Sequence, residues 1–447
     1  MVTHEAELHR RWQEGADDQD TPLPAYFPNT STFRKTYNTY LELHREMDRE
    51  LGEVVARLEA EGLLEDTFIF YFGDHGGVLP RSKGYLYEGG LHVPLVLRIP
   101  ENFKHLVGYR PGTRADGFVS FIDFAPTMLA LAGLEVPAQM DGRPFLGPGV
   151  DVEEVEARDE TFGMADRFDQ KYDMVRTLRK GRWKYMRSYQ PFNFDGLYTS
   201  FRYRLAAYQE WRELYTQGKL NEVQRQFFEP RAPEGLYDLE NDPDETVNLA
   251  ADPQYANILT DMRNRMNERV KGMPDLGFYP ESYFRKHQGV EDPAAFGSAR
   301  KAHIAKLVEI ANLQLLPFDA AKDDLERALV SDQPVERYWG LIVCSTFGED
   351  ASEFFAKAKE MAEQDPSPLN RARAAEFLGL TGAADPVPLI MAALAACDDS
   401  WEALLILNTA VLLKDGKPGY EFNITEESIP VYNFRTRRRL GYFREKN

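Results

Sequence analysis

Between Thr32 and Gly62 the apolar residues Tyr37, Leu41, Met47, Leu51, Val54 and Leu58 recur mostly three or four positions apart. That spacing lines one face of a helix, with Ser31 or Thr32 as its cap and Gly62 as its stop. The pattern then changes at Thr67–Phe72 (TFIFYF), a short β-branched and aromatic run. Placed after a helix, it predicts a buried parallel strand that ends at Gly73-Asp74-His75. A second apolar run, VPLVLRI at 93–99, predicts another strand. Asp123 to Gly133 reads as a helix with Asp123 as cap and Pro126 tolerated in its first turn. Helix, strand, strand and helix together predict an α/β sheet.

Beyond residue 150 the periods differ. Met174–Thr177 and Trp183–Met186 flank Arg179-Lys180-Gly181, which predicts an antiparallel hairpin. Gly235–Leu239 is a further short strand, and Asp252-Pro253 opens a helix running to Val270. From Ser298 to Leu413 only helical patterns follow, broken at Asp332-Gln333-Pro334-Val335 and Asp365-Pro366-Ser367-Pro368 at a spacing near that of HEAT-like repeats. The domain reading is therefore an α/β region over 1–150, a small α+β antiparallel subdomain over 151–293, an all-α HEAT-like region over 294–420 and a tail over 421–447. The tail holds the basic run Arg435-Thr436-Arg437-Arg438-Arg439, which reads as solvated charge docking on an acidic face.

Composition narrows the classes. Hydrophobic residues at 43% and charged residues at 28% suit a folded chain rather than a disordered or mainly membrane-spanning one. A net charge of −19 repels polyanions, which argues against nucleic acid as a partner, so any anion site must be locally basic. No run is long and apolar enough for a membrane span, and residues 1–20 carry no secretory signal pattern. The two cysteines, Cys344 and Cys397, fall in helical segments and read as buried structural thiols.

Chemistry concentrates after the first strand. A carboxylate and an imidazole leaving a strand together, Asp74 and His75, can turn toward one cation by oxygen and by nitrogen. Gly73, Gly76 and Gly77 around them permit close backbone approach. A loop then brings Lys83, whose ammonium suits an oxyanion that also bridges to a metal. Asp166, Arg167 and Asp169, in a polar stretch before the hairpin, read equally as lining for a binding pocket or as solvated charge.

The run FIFYFGDHGGVLPRSKGYLYEGGLHVPLVL at 68–97 resembles the sulfatase pattern of strand, Asp-Asn/His-Gly, a Lys or Arg, Tyr-Glu and Val-Pro-Leu. Val119–Leu129, Met140–Phe145, Met174–Thr177, Arg182–Tyr185, Leu236–Leu239 and Asn248–Ala250 are similar to the segments that follow in that family. The resemblance covers residues 1–290 and looks closest to heparan N-sulfatase-like and arylsulfatase-like members. It implies a partial alkaline-phosphatase-like sheet with flanking helices and hydrolysis of sulfuric esters or sulfamates, on sulfated carbohydrate or another small sulfate ester. It also implies Asp74 and His75 as metal ligands, Lys83 as the contact to sulfate and leaving oxygen, and His4 as the family's active-site histidine. The metal implied is Ca2+, with Mn2+ or Zn2+ brought in by the histidine at 75, because calcium prefers oxygen.

The nucleophile the resemblance implies is a formylglycine made within Cys/Ser-x-Pro-x-Arg, and no such motif occurs in this sequence. The family's first Asp pair is also missing; Asp17-Asp18 follows His4 and lies in a polar loop. The expectation is a chain that lacks an N-terminal portion or completes a partner chain, and is inactive alone. Family members are expected in the periplasm or outside the cell. Two other functions fit the residues: phosphoester or phosphonate monoester hydrolysis in the same superfamily, and a non-catalytic HEAT-repeat interaction protein that keeps a sulfatase remnant.

Overall fold

The computed structural model describes residues 5–288, 292–431 and 433–444, and mixes helix with sheet. His4 lies outside the described residues. The chain divides into two compact units. One holds the residues up to Gly163 with Thr177–Lys184 and Tyr237–Val247; the other holds Met164–Arg176, Tyr185–Leu236 and the chain from Asn248 onward.

The first unit begins with α1 (Glu5–Arg11) and α2 (Ser31–Ala60). The cap of α2 is Thr30, one residue before the expected Ser31, and its side chain accepts from the Phe33 N–H at 3.3 Å. Gly62, at φ +69°, ends the helix as its sequence position predicts. Asp17, in the polar loop between α1 and α2, accepts from Ser31 Oγ at 2.6 Å and Arg34 Nε at 2.7 Å.

Strands β1 (Ile69–Phe72) and β2 (Leu95–Arg98) pair antiparallel, with Phe70 opposite Leu97 and Phe72 opposite Leu95. The expected buried parallel strand is thus corrected. A parallel pair needs a crossover that carries the chain back past the length of the strand. The segment between these two instead turns back at the end where β1 finishes, so that Gly73 N–H donates to Pro94 O at 3.3 Å. Nor is the pair buried on both sides. Phe70, Leu95, Leu97 and Phe124 pack against the buried Phe145, Leu146 and Val155, whereas Val96 is 60% exposed. Helix α3 (Phe124–Leu131) follows a 3-10 turn at Phe121–Asp123, in which Asp123 accepts from Ser120 N–H at 3.0 Å and Arg143 N–H at 2.9 Å.

A four-stranded sheet runs in the order β3 (Glu160–Phe168), β4 (Lys171–Lys180), β5 (Trp183–Ser188), β6 (Glu234–Asp238). The hairpin β4–β5 turns at Gly181, φ +53°, where the sequence placed it. Strand β3 occupies the stretch that composition alone read as polar. Its Asp166 is held in an ion pair: with Asp275 it brackets the buried guanidinium of Arg176, at 2.8 Å to each carboxylate.

From Pro293 to Asp415 the second unit is helical, as the pattern predicts, and prolines open four of its helices, Pro293–Ala299, Pro334–Phe347, Pro368–Thr381 and Pro386–Ala395. Cys344 and Cys397 are buried there, and burial pushes both thiols well above the ordinary range. The basic run near the end lies in a helix, Phe434–Arg444, on which Arg437 and Arg438 are exposed as expected while Arg439 is buried. Helical spacing turns Thr436, Arg439 and Leu440 inward together, and Arg439 donates to Asn408 Oδ1 at 2.9 Å.

Lys171, fully buried on β4, pairs with Asp173 at 3.2 Å and donates to the carbonyls of Phe194 and Asp195, with Arg231 and Arg202 also close. Burial, only partly offset by the two aspartates, lowers its amine to about 8 from 10.5. A depressed amine favours the fold once it has lost its proton, so its contribution is fully present above the unfolded value and is lost as pH falls through the folded one. Urea unfolding between pH 8 and pH 10 is expected to show the wild type gaining on Lys171→Met by about 2–3 kcal/mol as pH rises. A flat difference across that window contradicts the depressed amine.

Candidate functional site

The site is built on the turn that leaves β1. Gly73 closes the strand, and Asp74 and His75 follow with their side chains in or near solvent, 59% and 33% exposed. His75 Nδ1 lies 2.6 Å from the carbonyl oxygen of Gly76. A carbonyl can only accept, so Nδ1 carries the proton, and the neutral tautomer with that proton has its lone pair on Nε2. That atom stands 3.5 Å from Asp74 Oδ1. A metal-binding imidazole is usually held in this way, with its second nitrogen donating to a carbonyl and the first left open. Oxygen and nitrogen donors side by side fit half of a divalent shell. Among the described residues no group of three or more His, Cys, Asp and Glu side chains is placed to hold a metal ion, so the pair remains a half-shell.

Glycines make the turn possible. Gly76 N–H donates to Gly90 O at 3.1 Å, and a Cβ on Gly76 would collide with the Gly89 carbonyl and with Ser82 Oγ. The Lys83 N–H donates to Gly77 O at 3.0 Å. The structure therefore joins Asp74, His75 and Lys83 through one hydrogen-bonded pair of loops, with the Lys83 side chain partly exposed.

Five further residues hold this loop and were not singled out from the sequence. Arg81, at φ +61°, is buried; its guanidinium lies 4.3 Å from the Tyr26 ring and 3.7 Å from the Tyr87 ring. It donates to the backbone carbonyls of Asp244 at 2.5 Å and Glu245 at 2.6 Å. Burial alone would lower Arg81, but Tyr87, Glu245 and Tyr26 outweigh it and hold the guanidinium above its ordinary value. Lys184, with no exposed surface, bridges Glu88 at 3.1 Å and Glu245 at 2.7 Å. Arg179 reaches the second oxygen of Glu88 at 2.5 Å, and the Glu245 carboxylate also accepts from the Glu88 N–H at 2.6 Å. Burial pushes Glu245 above the usual carboxylate range, with Lys184 and Arg81 pulling against it. Lys184 and Glu88 stood within recognised motifs, so a search for charged residues at motif centres would have found them. Glu245 follows an Asp-Pro-Asp turn and carries no such signal.

Residues 3–134 match the sulfatase family model, and residues 73–230 match that of the N-sulphoglucosamine sulphohydrolase C-terminal region. An ulvan-active sulfatase of Formosa agariphila is 37% identical over 261 residues, 58% of this chain and 42% of its own length. Human N-sulphoglucosamine sulphohydrolase is 26% identical over 265 residues, 56% of this chain and 50% of its own. This chain thus spans about half the length of the curated relatives it matches. A solved 2-O GAG sulfatase is 16% identical, with a TM-score of 0.39 over 59% of this chain and 48% of that one.

Gly76→Ala is expected to destabilise the first unit by about 1–3 kcal/mol, because the new methyl meets backbone rather than a movable side chain. Urea unfolding checks this, and a change within about 0.5 kcal/mol would mean that the turn adapts freely.

Proposed function

Residues 3–230 of this chain belong to the sulfatase family, and on that premise we propose that it supplies the metal-holding and sulfate-holding half of a site that hydrolyses sulfuric esters or sulfamates on sulfated carbohydrate. One observation carries the reading: His75 Nε2 is left open beside Asp74 Oδ1, fixed by its own Nδ1 bond to Gly76, on a turn tied to Lys83. A divalent ion there would polarise the sulfuryl oxygens as a Lewis acid. Asp74 and His75 would hold it, as a carboxylate and a neutral imidazole. Lys83 would bind the sulfate oxygens and offset the negative charge that gathers on the leaving oxygen. His4 belongs to the same reading as the proton carrier toward the substrate.

The nucleophile has no counterpart in this chain. Both cysteines are buried with their thiols raised, which keeps them protonated and out of reach. The polypeptide alone is therefore expected to bind but not to turn over. The nitrogen donor of His75 favours Mn2+ or Zn2+ over Ca2+ and keeps a phosphoester or phosphonate substrate as the second reading. The C-terminal match at 73–230 supports the sulfur chemistry instead. The helices from Pro293 to Asp415 we read as a HEAT-like stack that takes no part in this chemistry.

Calorimetric titration of the purified chain with Mn2+, Zn2+ and Ca2+ is expected to show one weak site, lost in Asp74→Ala and in His75→Ala. Lys83→Ala should weaken inorganic sulfate about tenfold, or ~1.4 kcal/mol, without altering metal affinity. A chain that binds no divalent ion at millimolar concentration favours the non-catalytic interaction protein. Robust hydrolysis of an aryl sulfate by the chain alone would overturn the half-site reading.

A further inference from the structure

The loop from Val78 to Tyr87 holds no regular strand or helix before the single turn Glu88–Leu91. Hydrogen bonds and ion pairs tie it on both sides of Lys83 along the chain.

Two residues before Lys83, Arg81 holds a left-handed backbone that a non-glycine residue adopts only when its surroundings impose it. Here they do, through the two tyrosine rings and the two carbonyls gripped by the guanidinium fork. One residue before, Ser82 Oγ donates to Gly89 O at 2.5 Å. Lys83 itself is pinned by its N–H to Gly77. Beyond it, Glu88 is fixed by Lys184, Arg179 and the Glu245 carboxylate. The Lys83 backbone is thus fixed while its side chain stays partly exposed.

Stability alone does not explain the chemistry of these ties. Replacing a buried ion pair by apolar residues of similar volume is often neutral or stabilising, so a buried lysine between two carboxylates is a poor way to gain free energy. It is a good way to fix geometry and to balance charge. Glu88 and Glu245 bring two negative charges to the loop, and Lys184 and Arg179 neutralise them locally. Left unbalanced, those carboxylates would draw the Lys83 ammonium inward and repel an incoming anion.

We propose that Arg81, Glu88, Lys184 and Glu245 act as a clamp of positioning residues that presents Lys83 to an oxyanion beside Asp74 and His75. This rests on the reading of Lys83 as the oxyanion contact, and it assigns to four residues a role that none of the sulfatase-like motifs carries. None of the four touches substrate; each acts through the path of the loop backbone.

The test uses the full chain, measuring amide hydrogen exchange over Val78–Leu91 and the affinity for inorganic sulfate. Glu245→Gln keeps the shape and an oxygen for the Glu88 N–H but removes the charge facing Lys184. Arg81→Lys keeps the charge but loses the fork. In both, loop exchange is expected to rise about tenfold and sulfate binding to weaken about tenfold, while helices Pro334–Phe347 and Pro368–Thr381 exchange as in the wild type. Unchanged loop exchange in both variants overturns the clamp. Faster exchange with unaltered sulfate affinity also overturns it, leaving a merely structural role. Equal sulfate binding by the wild type and Lys83→Ala overturns the reading of Lys83 instead, and that result is independent of the loop exchange. Should Glu245→Gln fail to fold, the double variant Lys184→Met with Glu245→Gln, which removes both charges together, carries the same two measurements.

Discussion

Lys184 has no surface in water, and the carboxylates of Glu88 and Glu245 are what it has in place of water. An ammonium taken out of water loses solvation worth several kcal/mol, which two close carboxylates can return only if their geometry is held. That requirement runs outward through the first unit. Glu245 is presented by a left-handed backbone at φ +52°, and its carbonyl is gripped by Arg81. Arg81 in turn needs Tyr26 and Tyr87 on either side of its plane. Four separate stretches of sequence converge on one pair of opposite charges, and the loop bearing Lys83 is the segment between them.

The second unit solves a similar problem with arginine. Arg176 is bracketed by Asp166 and Asp275, and Arg373 meets Glu376 at 2.8 Å and the Tyr338 hydroxyl at 3.1 Å. In each case a planar fork meets more than one acceptor: Asp166 and Asp275 for Arg176, the nearby Glu376 and the more distant Tyr338 for Arg373. Such pairs specify one arrangement more than they add stability, since a shifted register would leave a buried charge unmatched. The choice of ion differs with the task. Arginine fixes the helical unit with several directional bonds, whereas the compact ammonium of Lys184 serves two carboxylates at once.

Periodicity disclosed much of this architecture. The helix Ser31–Ala60, the hairpin at Gly181 and the helical run from Pro293 to Asp415 lie close to where spacing and caps placed them, because each signal is local. The pairing sense of β1 and β2 was not legible, since it depends on the path of the intervening loop and an apolar run looks the same in either sense. Strand β3 was missed because its charged residues form buried ion pairs, so polarity did not mean solvent. The same reason hid Arg439, whose partners, Asn408 and the Tyr198 carbonyl, lie far along the chain. At the site, Asp74, His75 and Lys83 were legible as a motif, and their joining by the Gly76 and Gly77 bonds follows from glycines already visible there. The clamp was not, because Glu245 lies far along the chain and only the fold brings it to Lys184.

The thiols carry a consequence for future experiments. Cys344 has no exposed surface, Cys397 has 3%, and burial raises both away from the thiolate form. Alkylating reagents attack thiolate in contact with solvent. The native molecule therefore presents a chemically silent background, and one cysteine engineered at the exposed Leu91 would be its sole labelling handle. A fluorophore or spin label there would report the motion of a single loop without prior removal of either natural cysteine.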